Sequence, residues 1–361
     1  MSSVARSPDA GHWRGRRVLL TGHTGFKGAW LAFWLCEMGA EVHGLAIDVP
    51  TDPALYGQSG LASRLASDVR LDIREHARLV AHVARVDPQD VFHLAAQPLV
   101  RASYARPLET FETNVMGTAY LLDAARQAPS LRSLVVVTTD KCYDNREWPH
   151  PYREPDPLGG HDPYSASKAC AELVAASWRD SFGAGLPFRI ATARAGNVIG
   201  GGDWAQDRLV PDCIRSFQRG APVVLRRPDA VRPWQHVLEP LCGYLLLAER
   251  LAAADGAAFA RAYNFGPAFA GNATVLEIAQ AVASHWGQGA TVQVAPDPAA
   301  LPEAGLLRLD STLAMGQLGW APRFTLAQAI AATVALYRDA DAPAKVAAAM
   351  GAQLREYVGL A

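Results

Sequence analysis

The chain has 361 residues, half of them hydrophobic and 19% charged, a balance that suits one or two globular domains and excludes a disordered chain. Its formal net charge of −1 offers no overall basic field to nucleic acid or an anionic membrane, so any affinity for phosphate must be local. No apolar run approaches the roughly 18–20 residues of a membrane span.

The charged leader 1–17 is followed by no apolar stretch of the secretory kind. The first predicted element is the β-rich run RVLLT at 17–21, which stops at Gly22. An apolar segment of helical length, 29–38, follows and closes at Gly39. Strands are then expected at 41–47, 68–72 and 90–94, with a helix at 74–85. The segment 132–138 shows no polar alternation, as expected of a strand buried on both faces. A helix at 163–182 and a strand at 188–194 complete the series. Strands alternating with helices in this way predict an α/β, doubly wound parallel sheet of the Rossmann type. Residues 1–197 are expected to form this dinucleotide-binding domain.

Beyond residue 198 the regularity falls. Helices are expected within 206–219, 236–252 and 274–286, separated by Gly- and Pro-punctuated stretches at 226–233, 266–272 and 296–305. Residues 198–361 read mainly as a smaller mixed substrate domain, with a return to the first domain within 234–265 and an Ala-rich helical tail at 340–361. The five cysteines, Cys36, Cys142, Cys170, Cys213 and Cys242, form no C-x-x-C pair and read as reduced thiols of a cytoplasmic protein. No metal-ligand spacing appears.

The glycines of Thr21-Gly22-His23-Thr24-Gly25-Phe26-Lys27-Gly28 are spaced G-x-x-G-x-x-G between the first strand and its helix. That is where a backbone must approach a pyrophosphate at a helix N-terminus. Thr24, Phe26 and Lys27 belong to the same cofactor loop. Asp48, 20 residues past Gly28, stands where a carboxylate accepts from ribose hydroxyls and repels a 2′-phosphate, which favours NAD over NADP; its alternative is a solvated loop acid. Asp72 and Ile73 are candidates for the adenine edge. Leu94, Ala95 and Ala96 would form a floor under the cofactor.

Tyr164 and Lys168 are four residues apart at a helix start and share a face. A nearby ammonium favours a phenolate, which prepares the tyrosine to exchange the proton of a sugar alcohol. The fifth strand ends in Thr138-Thr139-Asp140-Lys141, at the strand edge where open α/β sheets carry their chemistry. Thr139 is placed to hydrogen-bond the reacting oxygen. Asp140 and Lys141 read either as a second acid–base pair for elimination or as a surface ion pair. Trp234 and Cys142 read as packing residues, and His236 is left unassigned.

Seven blocks then carry a resemblance: TGHTGFKGAWL (21–31), AAQPLVRASY (95–104), TNVMGT (113–118), TTDKCYDN (138–145), GGHDPYSASKACAEL (159–173), RAGNVIGGGDWAQDRLVPD (194–212) and RPWQHVLEPL (232–241). They are similar to the CDP-glucose 4,6-dehydratase family, within the extended short-chain dehydrogenases. The resemblance implies NAD as cofactor and a CDP-glucose substrate converted to CDP-4-keto-6-deoxyglucose and water. Tyr164, Lys168 and Thr139 would start the oxidation at C4, and Asp140 would protonate the departing 6-hydroxyl. Lys141 stands where the dTDP-glucose enzymes carry Glu, as it does in the CDP-sugar family, and is the candidate base for the C5 proton; another group remains open. The resemblance also implies substrate contacts from Asn197, Arg208, Leu209, Arg232 and Asn264. It further implies a homodimer and a place in deoxysugar biosynthesis of the kind that feeds lipopolysaccharide O-antigens. A 4-epimerase of the same superfamily and a non-catalytic NAD-binding protein are the competing readings.

Overall fold

In a computed structural model, which describes residues 5–268, 272–295, 306–338 and 342–360, the chain builds one large sheet from its apolar segments. The sheet consists of β1 (Arg17–Thr21), β2 (Glu41–Ala46), β3 (Ser67–Arg70), β4 (Asp90–His93), β5 (Ser133–Val137), β6 (Arg189–Ala195) and β11 (Ala262–Phe265). Its order is β11-β6-β5-β4-β1-β2-β3, and every neighbouring pair is parallel. The shorter strands β7 (Val198–Ile199), β8 (Val223–Leu225), β9 (Val231–Pro233), β10 (Gln235–His236), β12 (Asn272–Thr274) and β13 (Val292–Val294) form pairs outside it.

The period of two along each strand sorts side chains to opposite faces. On β5, Val135 and Val137 join the apolar cluster of Trp30, Phe92, Tyr244 and Phe265, whereas Leu134 and Val136 join that of Leu79, Leu121 and Ile190. Both faces are therefore dry, which explains why the strand reads as a continuous apolar run. The chain winds one way from β1 to β3 and the other way from β4 onward, so the switch point lies between β1 and β4, where such sheets open a ligand crevice.

The expected helices appear at Phe26–Glu37, His76–Val86, Pro163–Phe182, Leu209–Gln218, Leu238–Ala252, Val275–Trp286 and Pro343–Gly359. The segment 234–265 contributes both the Leu238–Ala252 helix and β11, which pairs with β6. Among the elements beyond residue 198, Val210, Ile214, Phe217, Ile278, Val282, Trp286, Ile330 and Val334 form a separate apolar cluster. The expected loop 296–305, and residues 269–271 of the expected loop 266–272, lie outside the described residues. No helix among those described is long and apolar enough to cross a membrane.

Among the described residues, the two longest helical stretches outside the expected ones are 100–125 and 326–338. Residues 100–125 form short helices, Val100–Ala105, Pro107–Phe111 and Gly117–Ala125, with a π-helical turn at Glu112–Met116. The wider turn shifts the register mid-way, so no single 3.6-residue stripe runs through the segment. The second stretch is the helix Leu326–Arg338.

Candidate active site

The glycine loop is built by close backbone approach. Gly22 has φ +75°, and a Cβ there would lie 2.7 Å from the Ala95 nitrogen. A Cβ on Gly28 would lie 2.1 Å from the Gly22 carbonyl oxygen. Gly25 is the N-cap of the Phe26–Glu37 helix and brings no side chain to its first N–H groups. An uncapped helix N-terminus over a floor stripped of side chains fits the pyrophosphate of a dinucleotide. The floor is continuous, because Thr21 Oγ1 accepts from both the Leu94 and Ala95 nitrogens at 3.2 Å. Ala96 is half-buried just beyond. Asp48 is exposed immediately past β2, and its carbonyl accepts the Thr24 hydroxyl at 2.6 Å. Phe26 packs its ring against Gly200, where a Cβ would approach to 2.9 Å.

The adenine-edge candidates are more constrained than expected. The Asp72 carboxylate accepts the Arg74 guanidinium at 2.6 Å and the Arg74 backbone nitrogen at 2.9 Å. Burial opposes its charge, and those bonds outweigh it and lower its pKa. The Ile73 side chain is buried and lies against Gly117, where a Cβ would come within 2.5 Å, so only its backbone is left to face a ligand.

The end of β5 carries the reactive groups. Asp162 caps the Pro163–Phe182 helix by accepting from the Ser165 nitrogen at 2.9 Å, and Pro163 pre-sets the first turn. Tyr164 thus sits in the first turn, with its nitrogen donating to Ser103 Oγ at 3.1 Å. Thr139 caps the short turn Asp140–Cys142 and donates its hydroxyl to Asp140 Oδ1 at 3.0 Å. The Asp140 carboxylate is 2% exposed and lies against Gly196, where a Cβ would come within 2.9 Å of Oδ2. Lys141 is half-buried, with its backbone nitrogen donating to Thr139 Oγ1 at 3.3 Å.

Burial pushes the Tyr164 phenol up to about 12, opposed by a hydrogen bond with Thr139 and by the Arg208 charge. The direction is the reverse of the phenolate-favouring shift expected from Lys168: desolvation outweighs the Thr139 hydrogen bond and the Arg208 charge. Lys168 Nζ donates to the Val137 carbonyl at 3.2 Å. Burial draws it down to about 8, with Glu172 opposing. Lys27 is drawn down to about 7, by burial first and then by the Arg208 charge.

Behind these groups lies a buried polar network that sequence reasoning missed. The Glu172 carboxylate accepts from Thr138, Thr192 and Arg194. Arg194 also donates to the Tyr143 hydroxyl at 2.8 Å. On β4, His93 Nδ1 lies 2.8 Å from Thr21 Oγ1, and burial drives the imidazole down to about 3, leaving it neutral. Asn114, in the π-helical turn, donates to the Gln97 carbonyl and to Ser167 Oγ. Signals existed for the first pair: Glu172 lies eight residues past Tyr164 on the same helix face, and Arg194 interrupts an apolar strand.

The substrate candidates divide. Arg208 is paired with Asp203 at 2.8 Å and is close enough to act electrostatically on Tyr164 and Lys27. Arg232 is half-buried on β9, which pairs with β12, and donates to the Val231 carbonyl at 3.0 Å. Asn197 is half-buried between β6 and β7, its carbonyl accepting the Gln235 nitrogen at 3.2 Å. Leu209 packs against the apolar cluster of Val210, Ile214 and Phe217. Asn264 corrects the expectation. It is fully buried, accepts the Tyr143 hydroxyl at 2.8 Å and donates to the carbonyls of Tyr152 and Asp310 at 3.0 and 3.1 Å. With both N–H groups spent and the oxygen held by Tyr143 inside the core, the amide joins β11 to its neighbours rather than facing solvent.

Among the described residues no group of three or more His, Cys, Asp or Glu is placed to hold a metal ion, and all five cysteines are free. A family model described as GDP-mannose 4,6 dehydratase matches residues 19–333. The chain is 49% identical over 332 residues to a CDP-glucose 4,6-dehydratase of Salmonella typhimurium, covering 89% of this chain and 90% of that one. Among solved structures it superposes on a dTDP-glucose 4,6-dehydratase of Streptomyces venezuelae with NAD bound (26% identity, TM-score 0.74, 89% and 97% of the two chains). It also superposes on a UDP-glucose 4-epimerase of Thermus thermophilus in complex with NAD (27% identity, TM-score 0.74, 89% and 99%). With the strand-end chemistry and the glycine cradle in place, this likeness settles the lineage: the chain belongs to the CDP-glucose 4,6-dehydratase family, within the broader group described by the GDP-mannose 4,6 dehydratase model.

Proposed function

We propose that this protein is an NAD-dependent hydro-lyase that converts CDP-glucose to CDP-4-keto-6-deoxyglucose and water. The observation that carries the reading is the meeting of Tyr164, Thr139 and the buried Asp140 carboxylate at one strand end. A 4-epimerase would use the first two and have no use for the third. Gly22, Thr24, Gly25, Phe26, Lys27, Gly28, Leu94, Ala95 and Ala96 would cradle the dinucleotide, with Asp48 at the adenosine ribose. Bound NAD would supply the hydride acceptor for the oxidation at C4 and the hydride that returns to C6.

The residues do the proton work. Thr139 holds the 4-oxygen, and Tyr164 takes its proton, with the Thr139 hydrogen bond and the Arg208 cation opposing the burial that otherwise keeps the phenol protonated. The 4-ketone acidifies the C5 proton, which Lys141 would remove and give back to C5 when hydride adds at C6, and Asp140 would give its proton to the departing 6-hydroxyl as water leaves. Arg208 and Arg232 grip the substrate diphosphate, and Asn197 lines the same pocket. A guanidinium suits this because it binds phosphate oxygens bidentately.

We assign residues 1–197, with the return within 234–265, to the cofactor domain and the rest of 198–361 to the substrate region. We place the protein in the cytoplasm, where free thiols persist. A homodimer would bury the apolar side chains that the helices near Tyr164 leave exposed, among them Leu108 (77%), Met116 (44%) and Leu173 (58%). Incubation with CDP-glucose tests the chemistry: a product lighter by one water supports the dehydratase, and a product of unchanged mass supports the epimerase. Asp140→Asn should slow elimination far more than C4 oxidation, and equal slowing of both half-reactions would remove the acid from the scheme.

A further inference from the structure

The Tyr164 helix carries a third polar residue on the same face: Glu172 follows Lys168 by one turn, as Lys168 follows Tyr164. Its carboxylate is 2% exposed and fully engaged. Oε1 accepts the Thr138 hydroxyl, while Oε2 accepts the Thr192 hydroxyl at 2.7 Å and Arg194 Nη2 at 2.8 Å. One turn back, Lys168 holds the Val137 carbonyl. Two successive helical turns therefore grip two successive residues at the end of β5, and the next residue is Thr139. A buried carboxylate carries a desolvation cost that an apolar residue would not, and the reaction above assigns it no proton.

We propose that Glu172, backed by Arg194, is a positioning residue: it fixes the end of β5 so that Thr139 meets Tyr164, and it supplies the counter-charge for the Lys168 ammonium. The inference rests on the roles given above to Tyr164 and Lys168.

The groups around Lys168 leave little else to balance it. His93 on β4 is neutral, and burial pushes the Cys142 thiol far up, so it stays protonated. Lys27 on the first long helix and Arg194 on β6 are cationic groups. Asp140 accepts the Thr139 hydroxyl through one oxygen and lies against Gly196 with the other. Removing the Glu172 charge lets burial draw Lys168 lower still, so the lysine would lose its proton at a lower pH.

The test measures single-turnover C4 oxidation by the NAD-loaded enzyme across pH. In Glu172→Gln the alkaline limb of kcat should move down by about one pH unit while KM stays within about twofold. Glu172→Asp should bring the limb back toward wild type. Because Glu172→Gln strands a buried guanidinium, the double variant Glu172→Gln, Arg194→Gln removes both charges, and the same downward shift is expected. Thr138→Val alters no charge and tests the grip alone, with kcat falling about tenfold at constant KM. A wild-type limb in the folded charge variants, or wild-type kcat in Thr138→Val, overturns the proposal. Tyr164→Phe run alongside separates the failures. If it is inactive while the limb stays put, only the positioning role falls; if it is fully active, the functional reading falls with it.

Discussion

Two sets of carboxylate–guanidinium pairs flank the strand ends, and they differ in how much water reaches them. Glu172 and Arg194 are 2% and 4% exposed and share their oxygens and nitrogens with Thr138, Thr192 and Tyr143. Beyond the end of β7, Arg208 pairs with Asp203 at 35% exposure, and Arg101 and Arg226, at 33% and 45% exposure, both reach Asp207. The same chemistry serves opposite ends. A buried pair is costly to separate, because each ion left behind has no water to turn to. Arg101 and Arg226, whose partner Asp207 is itself 44% exposed, gain little from it and can exchange a carboxylate for a phosphate at small cost, whereas the Asp203 carboxylate beside Arg208 is 4% exposed.

The largest effect should come from the buried side. Tyr164→Phe is expected to lower kcat by about 10²–10⁴-fold without unfolding the chain, and product mass analysis reads it directly. Turnover at the wild-type rate would move the acid–base chemistry elsewhere. Next, Arg194→Met strands the Glu172 carboxylate and should cost about 3–5 kcal/mol in denaturant unfolding. A loss as small as that of the exposed pairs would erase the contrast.

Acid should sharpen it further. Burial holds His93 and His236 down to about 3, against an ordinary value near 6.5. Both are bases with depressed values, so their neutral forms support the fold above pH 6.5. That support is lost as pH falls from 6.5 toward 3, by up to about 1.4 kcal/mol per pH unit for each histidine. His236 lies between Trp30 and Phe324, so His236→Phe should flatten the acid slope of unfolding free energy; an unchanged slope would assign the lability to other groups.

On the exposed side, Arg208→Ala should raise KM for the sugar nucleotide about tenfold through loss of a charge-assisted phosphate contact, and should also lower kcat because its charge no longer opposes the burial of Tyr164. A fall in kcat at constant KM would instead place Arg208 with the buried machinery. Smallest of all, Arg101→Ala should change stability by less than about 1 kcal/mol. A larger loss would show that its bond to Asp207 is more than a surface pair.

The same division governs what the sequence disclosed. Gly22, Gly25 and Gly28, and the Tyr164–Lys168 spacing, are local patterns whose meaning follows from backbone geometry, and the structure brings them to one sheet edge. Glu172 and Arg194 were hidden because their pairing joins residues 22 apart in sequence, on a helix and a strand. Asn264 was misread for a related reason: a motif position does not say whether an amide faces a ligand or the backbone carbonyls of Tyr152 and Asp310. The short helices of 100–125 were obscured by the π-helical turn around Asn114, which breaks the stripe that periodicity depends on. For Tyr164 the neighbour was identified, but the sign of the pKa shift depends on how deeply the phenol is buried, which no spacing conveys.

The contact between Gly22 and the Leu94–Ala95 backbone bears on attempts to redirect the coenzyme. With main chain less than 3 Å from where a side chain would begin, that surface cannot be carved or padded by substitution. The exposed rim at Asp48 is different, since it meets solvent rather than a second strand. On the proposal that Asp48 meets the adenosine ribose, a switch toward a phosphorylated ribose would be engineered at that rim, by exchanging its carboxylate for a cation.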